Sequence, residues 1–82
     1  MKRVEDVLAS VLGIDADYIV DDTKPEDVEN WDSFNGLILI TELEKNFNVQ
    51  FSLEEIVAVK KVGDIKKILK HHGVNVYKNN SK

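Results

Sequence analysis

Trp31-Asp32-Ser33-Phe34, with the run from Asn35 to Phe47 behind it, is the stretch that decides how this chain folds. Asp32 is a good helix N-cap, because its carboxylate can accept hydrogen bonds from first-turn amides. Behind it Gly36, Ile40, Leu43 and Phe47, extended by Leu39, recur at helical spacing and predict a helix over about 33–46. A second stripe of Phe34, Leu37, Ile38 and Thr41 lies on another face. Apolar groups on two faces mean either a helix buried all round or one with a docking surface. A chain of 82 residues seldom buries a helix all round, so a docking surface beside Ser33 is expected. A serine at the positive end of a helix is also well placed to hold a phosphate, and exposed enough for an enzyme to reach.

Upstream, Val4, Val7, Leu8, Val11 and Leu12 predict a helix over roughly 2–12, stopped by Gly13, with Glu5 and Asp6 favoured in its first turn by the helix dipole. Residues 13–31 are dense in Asp and carry the breakers Gly13, Pro25 and Asn30. A loop of this length needs anchors, and Ile14, Tyr18, Ile19, Val20 and Val28 are the candidates. The frame from Asp15 to Glu26 places acids at calcium-loop positions, but Val20 stands where a glycine must make the sharp turn. An anchored acidic loop is the better reading.

Downstream, Ser52-Leu53-Glu54-Glu55 is a capping box that starts a short helix near 53–57. Val62, Ile65, Ile68 and Leu69 then repeat at helical spacing up to His71-His72-Gly73. Lys60 and Lys61 precede this last helix without a capping hydroxyl, so its start is weakly capped. The expected fold is all-α: a small four-helix bundle of three longer helices and one short one, with a long loop between helices 1 and 2. Residues 1–73 would form the domain and 74–82 a flexible C-terminal tail.

Charge is uneven along the chain. Residues 1–56 hold 4 basic and 14 acidic side chains, whereas residues 57–82 hold 7 basic and 1 acidic. The acidic part would repel nucleic acid and attract basic protein surfaces. Lys60, Lys61, Lys66, Lys67 and Lys70 lack accompanying arginines and aromatics, so they read as a solvated helix face complementing the acidic part. Neighbouring His71 and His72 point about 100° apart on a helix and do not readily share one ion. No cysteine is present, which excludes a disulfide framework and a thiolate metal site. Met1-Lys2-Arg3 leads into no apolar run, so neither a signal peptide nor membrane insertion is expected, and the default is a cytoplasmic protein. There is no nucleophile–base pair at sensible spacing and no glycine-rich phosphate loop, so an enzyme is not expected.

These elements together resemble acyl carrier proteins over about residues 3–72. The resemblance is carried by Val11-Leu12-Gly13, the long loop, Asp32-Ser33-Phe34, Leu39-Ile40 with Leu43-Glu44 and Phe47, then Phe51-Ser52-Leu53-Glu54-Glu55-Ile56, and Val62-Gly63-Asp64-Ile65. It implies that a phosphopantetheinyl transferase, using coenzyme A and magnesium, attaches a 4′-phosphopantetheine arm to Ser33, beside the N-cap Asp32. The arm's thiol would carry an acyl group as a thioester, and the chain itself has no thiol to do so. Helix 33–46 and the short helix would be read by acyl-loading, acyl-transferring or condensing enzymes, through Phe34, Leu37, Ile38, Thr41, Glu44, Lys45, Glu54, Glu55 and Val57. The bundle interior would shelter the cargo, and a monomer would suffice.

The chain departs from the family in places. Phe34 replaces a usual Leu or Met, Ile38 and Lys45 stand at positions often acidic, and Trp31 precedes the Asp as in stand-alone and D-alanyl carriers. These features suggest a dedicated carrier of a specialised pathway rather than the carrier of general fatty-acid synthesis. An aminoacyl, D-alanyl or peptidyl carrier is the alternative, and an unmodified helical adaptor is the alternative of another class.

Overall fold

The computed structural model describes residues 3–74. Its helices follow the expected order: α1 (Val4–Leu12), α2 (Ser33–Phe47), α3 (Leu53–Ala58) and α4 (Val62–His71), with no strand among the described residues. α1 starts at Val4 because the Asp6 carboxylate takes the Arg3 backbone N–H at 3.1 Å and holds Arg3 as an extended N-cap. It ends where Gly13 turns left-handed, φ 72°, and donates its N–H to Ala9. α2 runs one residue past the expected end, to Phe47. Asn48 accepts the left-handed conformation there, φ 56°, and its N–H reaches the Glu44 carbonyl.

Each long helix turns one stripe inward. Val4, Val7, Leu8 and Leu12 of α1 meet Leu39, Ile40 and Leu43 of α2 and Val62, Ile65 and Leu69 of α4, with Phe51 closing the cluster. Fully burying one such side chain contributes about 1.5–3 kcal/mol. In α3 no residue is fully buried and Ile56 is its half-buried contact, so this short helix rests on the core rather than entering it.

The long loop contains two 3₁₀ turns, Ala16–Tyr18 and Pro25–Asp27. Asp15 caps the first, its carboxylate accepting the Asp17 N–H at 3.0 Å. Of the expected anchors, Ile19 and Val28 are buried and Ile14 is half-buried. Tyr18 and Val20 are not anchors: Tyr18 is 79% exposed and Val20 also faces solvent. With Ile19 taken into the core, its extended backbone sends its neighbours to the opposite side. Thr23 and Trp31 anchor the loop instead. Both are buried, and the Thr23 hydroxyl accepts the Val20 N–H at 3.0 Å.

No side chain caps α4 at Lys61. Loop carbonyls take that role: Thr23 accepts the Val62 N–H at 2.9 Å and Asp21 accepts the Gly63 N–H at 2.8 Å. One lysine also departs from the solvated-face reading. Lys66 is 6% exposed, and its ammonium is held by Glu5 and, at 2.7 Å, by Asp21. Burial alone would lower its pKa, but hydrogen bonds to Asp21 and Glu5 outweigh burial and raise it above the ordinary lysine value. Lys61 pairs with Asp22 at 3.5 Å at the surface, so the basic last helix does complement the acidic loop.

At the far end His72 stacks on Phe51, ring centroids 6.2 Å apart, and its Nε2 lies 3.0 Å from Glu55 Oε2. Val74 was expected to begin the tail, yet it packs against the core and donates its N–H to Leu69 at 2.9 Å. The remaining tail, 75–82, lies outside the described residues.

Candidate functional site at the start of the second long helix

Ser33 is the first residue of α2 and is exposed. Asp32 is extended, and its Oδ1 accepts the Asn35 N–H at 2.8 Å, as the N-cap reading requires. The Asn35 amide donates to the Asn30 carbonyl at 2.7 Å, and the Asn30 amide donates to the Leu12 carbonyl at 3.1 Å. A chain of hydrogen bonds thus ties the end of α1, the end of the loop and the start of α2. Trp31, only 7% exposed, anchors the same place from below. Ser33 is therefore held on a rigid platform while its hydroxyl stays open to solvent. The first turn beyond Asp32 holds no acid, so the positive end of a 15-residue helix remains available to an anion.

Beside Ser33 lies an open apolar groove of about 400 Å³. Trp31, Gly36 and Ile40 form one wall, Ile56 and Val57 the other, and Ile65 contributes from α4. No Asp, Glu, Lys or Arg lines it.

The expected docking residues divide. Phe34, 71% exposed, forms an open apolar stripe with Leu37 and Ile38, and Thr41 continues it with its hydroxyl turned to the Leu37 carbonyl at 3.1 Å. Lys45 is exposed and pairs with Glu42 at 3.5 Å. Glu54 and Val57 are exposed on α3. Glu44 is engaged elsewhere: its half-buried carboxylate accepts the Phe51 N–H at 2.8 Å and ties down the α2–α3 connection. Glu55 is also half-buried, closing the capping box with Ser52 and meeting His72. The Ser52 backbone N–H, and then His72, hold its pKa below the usual carboxylate value. Leu53 was missed, although it is 75% exposed and joins Val57 on the same face of α3. The signal was present, because a six-residue helix with Ile56 turned inward leaves an i, i+4 apolar pair outside. The groove residues around Trp31 were missed too, since they come from four separate segments.

Among the described residues no group of three or more His, Cys, Asp or Glu side chains is placed to hold a metal ion, and no helix is long and apolar enough to cross a membrane. A family model described as a phosphopantetheine attachment site matches residues 2–69 of the chain.

Proposed function

The chain belongs to the phosphopantetheine attachment family, and on that premise we propose that Ser33 bears the arm and that the protein is an acyl carrier of a dedicated pathway. Members of this family hold 4′-phosphopantetheine covalently on a serine. The observation that carries the assignment is the exposed Ser33 hydroxyl at the capped start of α2, directly beside the apolar groove. Ser33 supplies the oxygen that becomes esterified, and the helix start favours the negative phosphodiester that results. Asp32 fixes the backbone on which that oxygen sits. When bound, the arm supplies a thiol that holds cargo as a thioester.

An acyl cargo is favoured over an aminoacyl one by the groove lining. An ammonium group placed there would find no carboxylate, whereas an aliphatic chain would find apolar walls. The same surface reasoning gives the partners: a phosphopantetheinyl transferase, then acyl-loading, acyl-transferring or condensing enzymes that read Phe34, Leu37, Ile38, Leu53 and Val57. The chain acts in this reading as a cytoplasmic monomer that is a substrate of enzymes, not one itself.

Intact-mass spectrometry after incubation with coenzyme A and a broad-specificity transferase tests the assignment. One arm should be added to the wild type and none to Ser33→Ala, whose helical spectrum should be unchanged. An arm mapped to Ser10, Ser52 or Ser81 would overturn it, and no addition at all would favour an unmodified adaptor.

A further inference from the structure

We propose that the indole N–H of Trp31 is a positioning hydrogen-bond donor to a carbonyl oxygen of the group carried at Ser33, an inference that rests on the carrier reading above. Trp31 is buried, with 7% of the residue exposed, yet its indole nitrogen forms no hydrogen bond with any described residue. No fully enclosed side-chain nitrogen or oxygen among those residues lacks a partner, so Nε1 lies on the small part of the ring still open. Gly36 shows where that opening is. A Cβ built on Gly36 would sit 3.8 Å from Trp31 Nε1, and both residues line the groove next to Ser33. With a hydrogen there instead of a methyl, the space beside Nε1 stays open on the groove side.

A buried indole N–H normally has a partner, and covering it with a purely aliphatic chain would leave it without one. Ser33 is the other polar side chain on the groove wall. An acceptor oxygen entering beside Ser33 satisfies the indole, and carbonyl oxygens are what both the arm's amides and an oxidised acyl chain offer. The chemistry recognised is thus a neutral carbonyl, from the arm itself or from a 3-oxoacyl cargo.

Trp31 is the sole tryptophan, so a ¹⁵N-labelled chain gives one indole resonance to follow. It is recorded for the apo chain and after transferase loading from coenzyme A, hexanoyl-coenzyme A and 3-oxohexanoyl-coenzyme A, with intact mass establishing complete loading at Ser33. The indole proton should move downfield and exchange roughly 2–10-fold more slowly with solvent, the factor that one net hydrogen bond is worth. A change in every loaded form assigns the acceptor to the arm, and a change confined to the 3-oxo form assigns it to the cargo. In Gly36→Ala molecules whose intact mass shows the arm in place, the change should be lost, since the added Cβ would stand 3.8 Å from Nε1. An apo-like indole resonance in all fully loaded forms, or an undiminished change in Gly36→Ala, overturns the proposal and leaves the carrier reading standing. An absent mass increment instead removes the carrier reading, and this inference with it.

Discussion

The carbonyl oxygen of Asp21 lies 2.8 Å from the Gly63 amide nitrogen, so the middle of the long loop is bolted to the first turn of α4. A Cβ on Gly63 would stand 3.2 Å from that same oxygen, tighter than ordinary contact. Asp21 has little freedom to retreat, because Lys66 holds its carboxylate at 2.7 Å. Gly63→Ala should therefore lose stability. Overpacking of about 1–3 kcal/mol is offset by a helix-propensity gain of at most about 1 kcal/mol. The urea midpoint should fall, and a midpoint at or above wild type would show that the loop yields.

The two lysine pairs between α4 and the loop should behave differently. Lys66→Ala removes a buried ammonium from two carboxylates and should cost roughly 2–4 kcal/mol. Lys61→Ala breaks an exposed pair and should cost less than about 1 kcal/mol, with the loss shrinking as salt is raised. Denaturant titrations of both variants at two salt concentrations give the comparison, and equal costs would contradict the burial argument.

Glu55 joins the start of α3 to the end of α4 through Ser52 and His72. Its folded pKa is depressed, so its contribution is fully present above the ordinary carboxylate value and is lost as pH falls through the lower folded value. Wild type should therefore be more stable than Glu55→Gln near neutral pH, and the gap should close on acidification below the ordinary carboxylate pKa. Thermal midpoints of the two proteins across that range test this, and a gap independent of pH would rule out the carboxylate as its source.

Partner recognition should rest on apolar contact more than on charge. Ile38 is 37% exposed, so a partner that covers it gains roughly 0.5–1 kcal/mol there, and the whole stripe with Phe34 and Leu37 outweighs the about 0–1 kcal/mol of one exposed ion pair. Lys45, exposed near that stripe, should repel a partner surface built with basic groups for an acidic helix. Ile38→Glu combined with Lys45→Glu should weaken turnover by the cognate enzyme and improve turnover by enzymes of general fatty-acid synthesis. Strong salt sensitivity of the wild-type cognate reaction would count against apolar recognition.

The helices, the caps at Gly13, Asp32 and Ser52, and the place of Ser33 were legible from residue order alone, because each depends on neighbours within about four positions. Asp32 caps Asn35, Ser52 pairs with Glu55, and Gly13 ends α1 for reasons contained in those few residues. The exposed stripe of Phe34, Leu37 and Ile38 was equally visible, since helical spacing alone separates two faces. What tertiary structure decided was every relationship across the long loop. Nothing near Lys66 in the chain says that Glu5 and Asp21, 61 and 45 residues away, will gather around it. Likewise Thr23 is buried and Tyr18 exposed because the path from Ile19 to α4 sets which side faces the core. The groove beside Ser33 and the open edge of Trp31 exist only once α2, α3, α4 and the loop are assembled, since a concave surface is made by the spacing between elements and belongs to none of them.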